Sequence, residues 1–225
     1  MDLGLDGRVI LVVGGDGYIG SEVSGRLRAE GATVVSASRH SDELVMDARD
    51  DVSVVDAVRF VVERHGRLDG VVVAAAPSAR TLDPDLSFDP DDVLEAIDAK
   101  AMSFLRVARA AIDVMRGDGG GRIVAVSGQN ASLTGDLRGS VRNGALILAA
   151  KNLADSVAGT GITVNVVNPG VVVDEPVPEV QPAKGGQSSP TDIAALIAFL
   201  VSPLAAAISG ESIAVGHRVR GVTGL

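Results

Sequence analysis

The chain has 225 residues, 46% of them apolar, and a formal net charge of −9. That length holds one sizeable core and reads as a single domain over 1–225, while the acidic balance excludes a nucleic-acid backbone or an anionic membrane surface as the main partner and leaves a small molecule or a protein. Without cysteine there is no disulfide, thiolate nucleophile or thiolate metal site, and the opening MDLGLDGR has no basic-then-apolar signal pattern, which points to the cytoplasm.

Short β-branched runs at 8–13, 33–37, 44–46, 70–75, 122–127, 162–167 and 212–215 read as buried strands. Between them lie helical patterns; Val54, Val55, Val58, Val61 and Val62, for example, form one apolar stripe. The alternation predicts a doubly wound α/β domain whose mostly parallel sheet, of about seven strands, is covered on both faces. Asp89, Pro90 and Asp91 supply cap and first-turn chemistry for a long helix through Phe104 to about Met115, ended by the glycines at 117–121. A further helix is expected over 140–157. The stretch 174–190, with Pro176, Pro178, Pro182, Pro190 and the pair Gly185-Gly186, has no periodicity and reads as a mobile loop on the substrate side of a cleft. Residues 193–208 are apolar enough to raise a membrane span, but Ser202 and Pro203 split them and a span needs ~20 residues, so they read as buried helix.

The run from Val9 to Gly20 places Gly14, Gly17 and Gly20 at G-x-x-G-x-x-G spacing between the first strand and the first helix. Three glycines there permit a tight turn, close approach to a pyrophosphate and tight helix-on-strand packing, and the helix would aim its first amides at the phosphates. A bare strand-to-helix turn uses glycines too; the second strand at the expected distance favours the dinucleotide site of a Rossmann-type domain. The turn residues Gly14, Gly15, Asp16, Gly17, Tyr18, Ile19 and Gly20 are its candidates. After the second strand, where an acid would bind the ribose diol of NAD, stand Ser38 and Arg39, and a guanidinium fork suits a 2′-phosphate. NADP(H) is therefore the expected cofactor; the alternative is a solvent-exposed arginine at a strand end.

From here the chain resembles the short-chain dehydrogenase/reductase family along almost its whole length. Asp47 in Met46-Asp47-Ala48 looks like the family aspartate at the adenine ring, and 161–170, GITVNVVNPG, is similar to the strand and turn beside the nicotinamide, bringing in Pro169 and Gly170. Residues 190–194 and 209–215 resemble the last helix start and last strand. The family's Ser, Tyr-x-x-x-Lys and Asn do not carry over: their positions fall on Gly128, Gly139, Asn143 and Lys100, and its Asn-Asn-Ala-Gly becomes Ala74-Ala75-Ala76-Pro77. Tyr18, the one tyrosine, lies in the dinucleotide turn.

A family enzyme needs a proton donor, and losing a general acid costs ~10²- to 10⁴-fold in rate. Lys100 is the candidate substitute if desolvation lowers its pKa; an outward helix lysine or a salt bridge is the competing reading. Ser127, Asn130 and Asn143 are candidates on the substrate side, whereas Ser132, Thr134, Asp136 and Ser140 also suit turn and cap chemistry. Lys151 lies too far along its helix. His40, His65 and His217 are scattered, and prolines interrupt the acids Asp83, Asp85, Asp89, Asp91 and Asp92, so no metal is expected.

Three functions fit: an NADP(H)-dependent oxidoreductase of carbonyls or alcohols with an atypical proton relay, a catalytically silent cofactor-binding or structural partner protein, and a non-redox lyase or isomerase. The resemblance implies a homodimer or homotetramer. Its helix faces would carry Phe104, Ala108 and Ile112, with Leu146, Ala150, Leu153 and Val157, although core packing uses the same spacing.

Overall fold

The computed structural model describes residues 2–76 and 88–222. Strand β1 (Val9–Val13), helix α1 (Tyr18–Ala29), β2 (Thr33–Ser38), β3 (Leu44–Val45), α2 (Asp51–His65) and β4 (Gly70–Val73) form the first half. Helices α3 (Pro90–Ile97) and α4 (Ser103–Met115), β5 (Gly121–Val126), α5 (Leu137–Ser156), β6 (Ile162–Pro169), β7 (Val171–Val172), β8 (Gln187–Ser188), α6 (Pro190–Leu200) and β9 (Ser212–Val215) follow. Seven strands make one sheet in the order β3-β2-β1-β4-β5-β6-β9, every pairing parallel. Parallel neighbours require long crossovers, and the helices that supply them cover both faces. Consequently β1, β4 and β6 are buried at every position.

Two apolar layers result. Leu11, Val71, Ile123 and Val164 meet α2, α4 and α5 on one side of the sheet, while Ile10, Val72, Val124 and Val167 meet α1 and α6 on the other. Strand alternation sends successive residues to opposite layers, so a one-residue slip in register would exchange the layers. Phe104, Ala108, Ile112, Leu146, Ala150 and Val157 are buried in the first layer, with Leu153 packed at its edge. These side chains, weighed above as an assembly face, are core: their helical stripe is consumed by the chain's own sheet.

Several elements differ from the sequence reading. The long helix runs as α3, one π-helical turn over Asp98–Met102, then α4. Its Asp89 cap accepts the amides of Asp91 and Asp92 at 3.0 and 3.2 Å, whereas Asp83, Asp85 and Pro84 of the same acidic stretch, and Pro77, lie outside the described residues. Helix α5 begins three residues earlier than position 140, because Asp136 caps it by accepting the Gly139 amide at 3.0 Å. The 174–190 stretch is not all loop: Gln187–Ser188 pairs with Val171–Val172, and Pro190 is the first residue of α6 behind a Ser189/Asp192 capping box. Proline suits that position because its missing N–H has no intrahelical acceptor there. The 193–208 segment ends its helix at Leu200, and Ser202 caps a 3₁₀ turn over Pro203–Ala205. Among the described residues no helix is long and apolar enough to cross a membrane.

Candidate active site

The carboxyl ends of β1, β4, β5 and β6 open into one cleft beside the point where strand order reverses, between β1 and β4. Open parallel sheets bind ligands at such reversals because the loops on either side of it part in opposite directions. The cavity there measures about 470 Å³ and is lined from the turn after β1 by Gly17, Tyr18, Ile19 and Gly20. Ala74 and Ala76 close the side after β4, Ser127, Gly128 and Asn130 that after β5, and Pro169 and Gly170 that after β6. A second hollow of about 400 Å³, at the amino ends of the same strands, is a poorer candidate, since Asp69 in its wall is already gripped by Arg8 at 2.7 Å and by Arg67.

At the β1 turn the glycines do what their spacing suggests. Gly14 has φ +81°, and a Cβ on it would press on the Ala75 backbone at 2.7 Å; a Cβ on Gly20 would run into the Gly14 carbonyl. Only glycine lets α1 sit this close to the strand ends. The first turn of α1 contains no acid, and its Gly17 cap position supplies no side-chain hydrogen bond. Its amides and the positive end of the helix dipole therefore favour an anion.

Beside this turn, Ser38 donates to Asp16 Oδ2 at 2.6 Å and accepts the His40 amide at 3.2 Å. Arg39 is exposed next to them. Gly15 and Asp16 face a separate shallow hollow with Ser36, His40 and Glu43. Asp47 is half-buried, donating its amide to Ser53 and accepting the Arg49 amide on its carboxylate. Tyr18 reaches the other way, and its hydroxyl donates to Asp174 Oδ1 at 2.5 Å.

The far end of the cleft is built from side chains. Lys100, on the π-helical turn, is 7% exposed and donates to the Ser127 carbonyl at 3.1 Å. In that turn the Ser103 amide reaches back five residues to the Asp98 carbonyl, and Arg49 and Arg106 hold the Asp98 carboxylate at 3.0 and 2.8 Å. Burial pushes the Asp98 carboxyl up, but the hydrogen bonds from Arg106 and Arg49 outweigh it and hold it below the ordinary range. The π turn is thus pinned from outside while Lys100 points inward, and such turns often occur at functional sites. Burial, reinforced by the charge of Arg142, lowers the Lys100 pKa from 10.5 to about 7. The outward-lysine reading is therefore corrected: among the described residues no acid meets Lys100, and its neutral partner cannot offset desolvation.

Ser127 and Asn143 are joined by a 3.1 Å bond from the Ser127 hydroxyl to the Asn143 carbonyl. The Asn143 amide faces Gly128, where an added Cβ would lie 3.1 Å from Nδ2. Gly139 has no room either: a Cβ there would strike the Asp136 cap carboxylate and lie 3.4 Å from Asn130 Nδ2. Asp136 and Ser140 are engaged in helix-start chemistry, with Ser140 donating to the carbonyls of Leu133 and Asp136.

The structure thus gathers Lys100, Ser127, Asn130 and Asn143 with Gly17, Tyr18, Ile19, Gly20, Ala74, Pro169 and Gly170 around one cavity, and leaves Gly14, Gly15, Asp16, Ser38, Arg39, Asp47 and Ala75 behind or beside it. Sequence reasoning missed Arg142, which lines the same wall at 2% exposure. Its only signal was its place one residue before Asn143.

The family model described as Enoyl-(Acyl carrier protein) reductase matches residues 18–217 of the chain. The 7alpha-hydroxysteroid dehydrogenase of Bacteroides fragilis is 26% identical, over 93% of this chain and 93% of its own length. The 3-oxoacyl-(acyl-carrier-protein) reductase FabG of Salmonella typhimurium is 26% identical over 94% and 96%. A solved Serratia marcescens short-chain dehydrogenase/reductase, in a mutant form, superimposes with a TM-score of 0.81 at 28% identity, covering 94% of this chain and 97% of that one.

Proposed function

Because the chain belongs to the short-chain dehydrogenase/reductase superfamily, we propose that it is an NADP(H)-dependent oxidoreductase of carbonyls and alcohols in which Lys100 replaces the usual proton donor. The whole 1–225 domain would carry that cleft. The single observation behind the reading is the position of Lys100: an inward, buried ammonium with a pKa of about 7 on the wall of the cleft. A general acid works best when its pKa lies near the operating pH.

The residues present fit a dinucleotide. Gly14 and Gly20 keep the turn open to close approach, and the acid-free first turn of α1 presents amides to a pyrophosphate. Asp47 would meet the adenine, and Ala74, Ala75, Pro169 and Gly170 would flank the nicotinamide end. Arg39 would take the 2′-phosphate, with Ser38 beside it once Asp16 turns away. When bound, the reduced cofactor supplies hydride. Lys100 holds a proton at Nζ, delivers it to the oxygen that gains negative charge on a reduced carbonyl, and recovers one from solvent. Ser127 anchors Lys100 through its backbone carbonyl, and Asn130 and Asn143 orient the substrate.

A catalytically silent cofactor-binding protein is the second reading, favoured by Gly128, Gly139 and Asn143 standing where the family's serine, tyrosine and lysine belong. Asp136 already occupies the space before Gly139. Turnover decides between them. NADPH consumption against a carbonyl panel should be measurable and fall ~10²- to 10⁴-fold in Lys100→Ala. Activity unchanged by that substitution removes Lys100 from the mechanism, and no activity with any carbonyl leaves the silent reading. A ligand at 100 times its Kd adds ~2.7 kcal/mol to stability, so NADPH should raise the melting temperature and NADH should raise it less.

A further inference from the structure

Lys100 is aimed by a turn that a regular α-helix does not make. Across Asp98–Met102 the helix is wound one residue wide, and both the amide and the hydroxyl of Ser103 donate to the Asp98 carbonyl, the hydroxyl at 3.1 Å. Such turns are rare, so neighbouring contacts must favour this one. One contact discriminates between the two windings. The Arg106 guanidinium meets Asp98 Oδ1 at 2.8 Å although the two residues are eight apart in sequence. In a regular helix of ~3.6 residues per turn, eight residues place two side chains about 80° apart around the axis, on diverging faces. The extra residue absorbed by the π turn makes that separation equivalent to seven, which leaves them about 20° apart, on one face. The ion pair therefore suits the widened helix and is strained or lost in a regular one. Arg49, from the loop before α2, takes Asp98 Oδ2 at 3.0 Å and reaches Glu95 of α3 at 3.4 Å, while Arg106 lies 3.8 Å from Asp51 of α2. Lys100, two residues beyond Asp98, projects from roughly the opposite side of the helix, onto the cleft wall.

We infer that Asp98 is a positioning residue for Lys100: paired with Arg106, it selects the widened turn and so keeps the ammonium on the cleft wall against the Ser127 carbonyl. The inference rests on Lys100 as the proton donor of the proposed reaction and adds the residue that acts through it. Without the ion pair the turn relaxes or slides along the helix, and each residue of register rotates a side chain by about 100°. Lys100 then leaves its buried place and regains water. Its pKa, held at about 7 by burial and the Arg142 charge, rises toward 10.5. Among the described residues, the charge that bears on Lys100 from a packed element is Arg142 of α5, itself influenced by Asp136 and Arg138; β5 presents the Ser127 carbonyl. Asp98 and its two arginines lie on the outer side of the turn. Direct electrostatics acts in the other direction: deleting the Asp98 charge alone would lower a lysine pKa, so a rise reports movement of Lys100.

The chain has three lysines, Lys100, Lys151 and Lys184, so protein made with isotopically labelled lysine gives a simple side-chain NMR spectrum in which Lys100→Met assigns the signal of interest. The test is pH titration of that signal in the parent and in Asp98→Asn, Arg106→Met and Arg106→Lys. The expected result is a midpoint near 7 in the parent, raised by about one pH unit or more in Asp98→Asn and Arg106→Met, and kept in Arg106→Lys, which retains the charge. Asp98→Asn preserves the shape of the side chain, so the test stands if Arg106→Met does not fold. An unmoved or lowered midpoint in folded Asp98→Asn overturns the inference, as does Arg106→Lys shifting as far as Arg106→Met. NADPH consumption separates the two ideas. Turnover that depends on Lys100, with an unmoved midpoint in Asp98→Asn, removes the positioning role and keeps the donor. A midpoint that moves in a protein that reduces no carbonyl keeps the positioning role and removes the donor. A parent midpoint near 10.5 overturns both.

Discussion

The two ends of the cleft are built from different materials. At the β1 turn the site is backbone: glycines set the approach, helix amides supply the charge, and a side chain at Gly14 or Gly20 would collide with main chain. At the β5 end it is side chain: Lys100, Arg142, Asn143 and Ser127 project from three elements, and their chemistry changes with each substitution. A backbone site tolerates little variation because the fold itself depends on its close contacts. A side-chain site can be rewritten while strands, helices and cavity stay in place.

The largest effect expected from breaking this comparison is at Lys100. Lys100→Met should cut any NADPH-dependent turnover ~10²- to 10⁴-fold while leaving the cofactor-induced melting shift in place. It should also change the pH dependence of stability. The folded pKa is about 7 and the ordinary one 10.5, so between them the unfolded chain binds more protons, and stability rises with pH across that window. Below pH 7 both states are charged and the burial cost is fully present. Denaturant titrations at pH 7 and pH 10 should therefore show a stability gain in the parent protein that Lys100→Met lacks. Equal slopes in the two proteins would mean that Lys100 is not desolvated.

The matching change at the backbone end is Gly20→Ala, whose methyl meets the Gly14 carbonyl. Overpacking of this kind costs ~1–3 kcal/mol in stability. Fluorescence titration should show NADPH and NADH binding weakened together by roughly 100-fold, because ~3 kcal/mol of misfit corresponds to that factor. A variant that folds and binds both dinucleotides normally would place the cofactor elsewhere. A smaller change should follow from Asp16→Asn, which removes a carboxylate 2.6 Å from the Ser38 hydroxyl, beside Arg39. NADPH should bind about fivefold more tightly and NADH should change little, since one unfavourable charge near a phosphate costs ~1 kcal/mol in a solvated setting. Arg39→Ala should move NADPH the opposite way. Parallel responses of the two cofactors to both variants would deny the 2′-phosphate role.

The same contrast explains what could be read in advance. Buried parallel strands are continuous β-branched runs, so β1, β2, β4 and β6 were recognisable, and the glycine turn is a spacing rule. Asp89 and Asp136 are cap residues beside helical patterns, although the second was weighed as cleft chemistry as well as a cap. The π turn left no trace, because one widened turn barely disturbs apolar spacing across Ile97, Ala101 and Phe104. Arg142 was passed over because an arginine on a helix normally faces water, and α5 buries Arg138, Arg142 and Asn143 together. Polar burial of that kind depends on what the helix packs against, which local sequence does not encode.

The smallest expected effect joins the two ends. Tyr18 stands on the backbone-built turn, half exposed, and its hydroxyl donates to Asp174 at the edge of the 174–190 stretch. An exposed bond of this type contributes little to stability, so Tyr18→Phe should shift unfolding by less than ~1 kcal/mol. Its consequence should be kinetic, because the bond spans the mouth of the cleft between the dinucleotide turn and the segment following β7. Breaking it leaves the turn, the glycines and the helix amides unchanged, so the NADPH association rate should hold. The dissociation rate should rise about threefold, with Asp174→Asn showing less because an amide oxygen still accepts the hydroxyl. Stopped-flow release of NADPH reads both rates, and unchanged dissociation in Tyr18→Phe would leave the tyrosine as a surface contact of the turn with no part in holding the cleft closed.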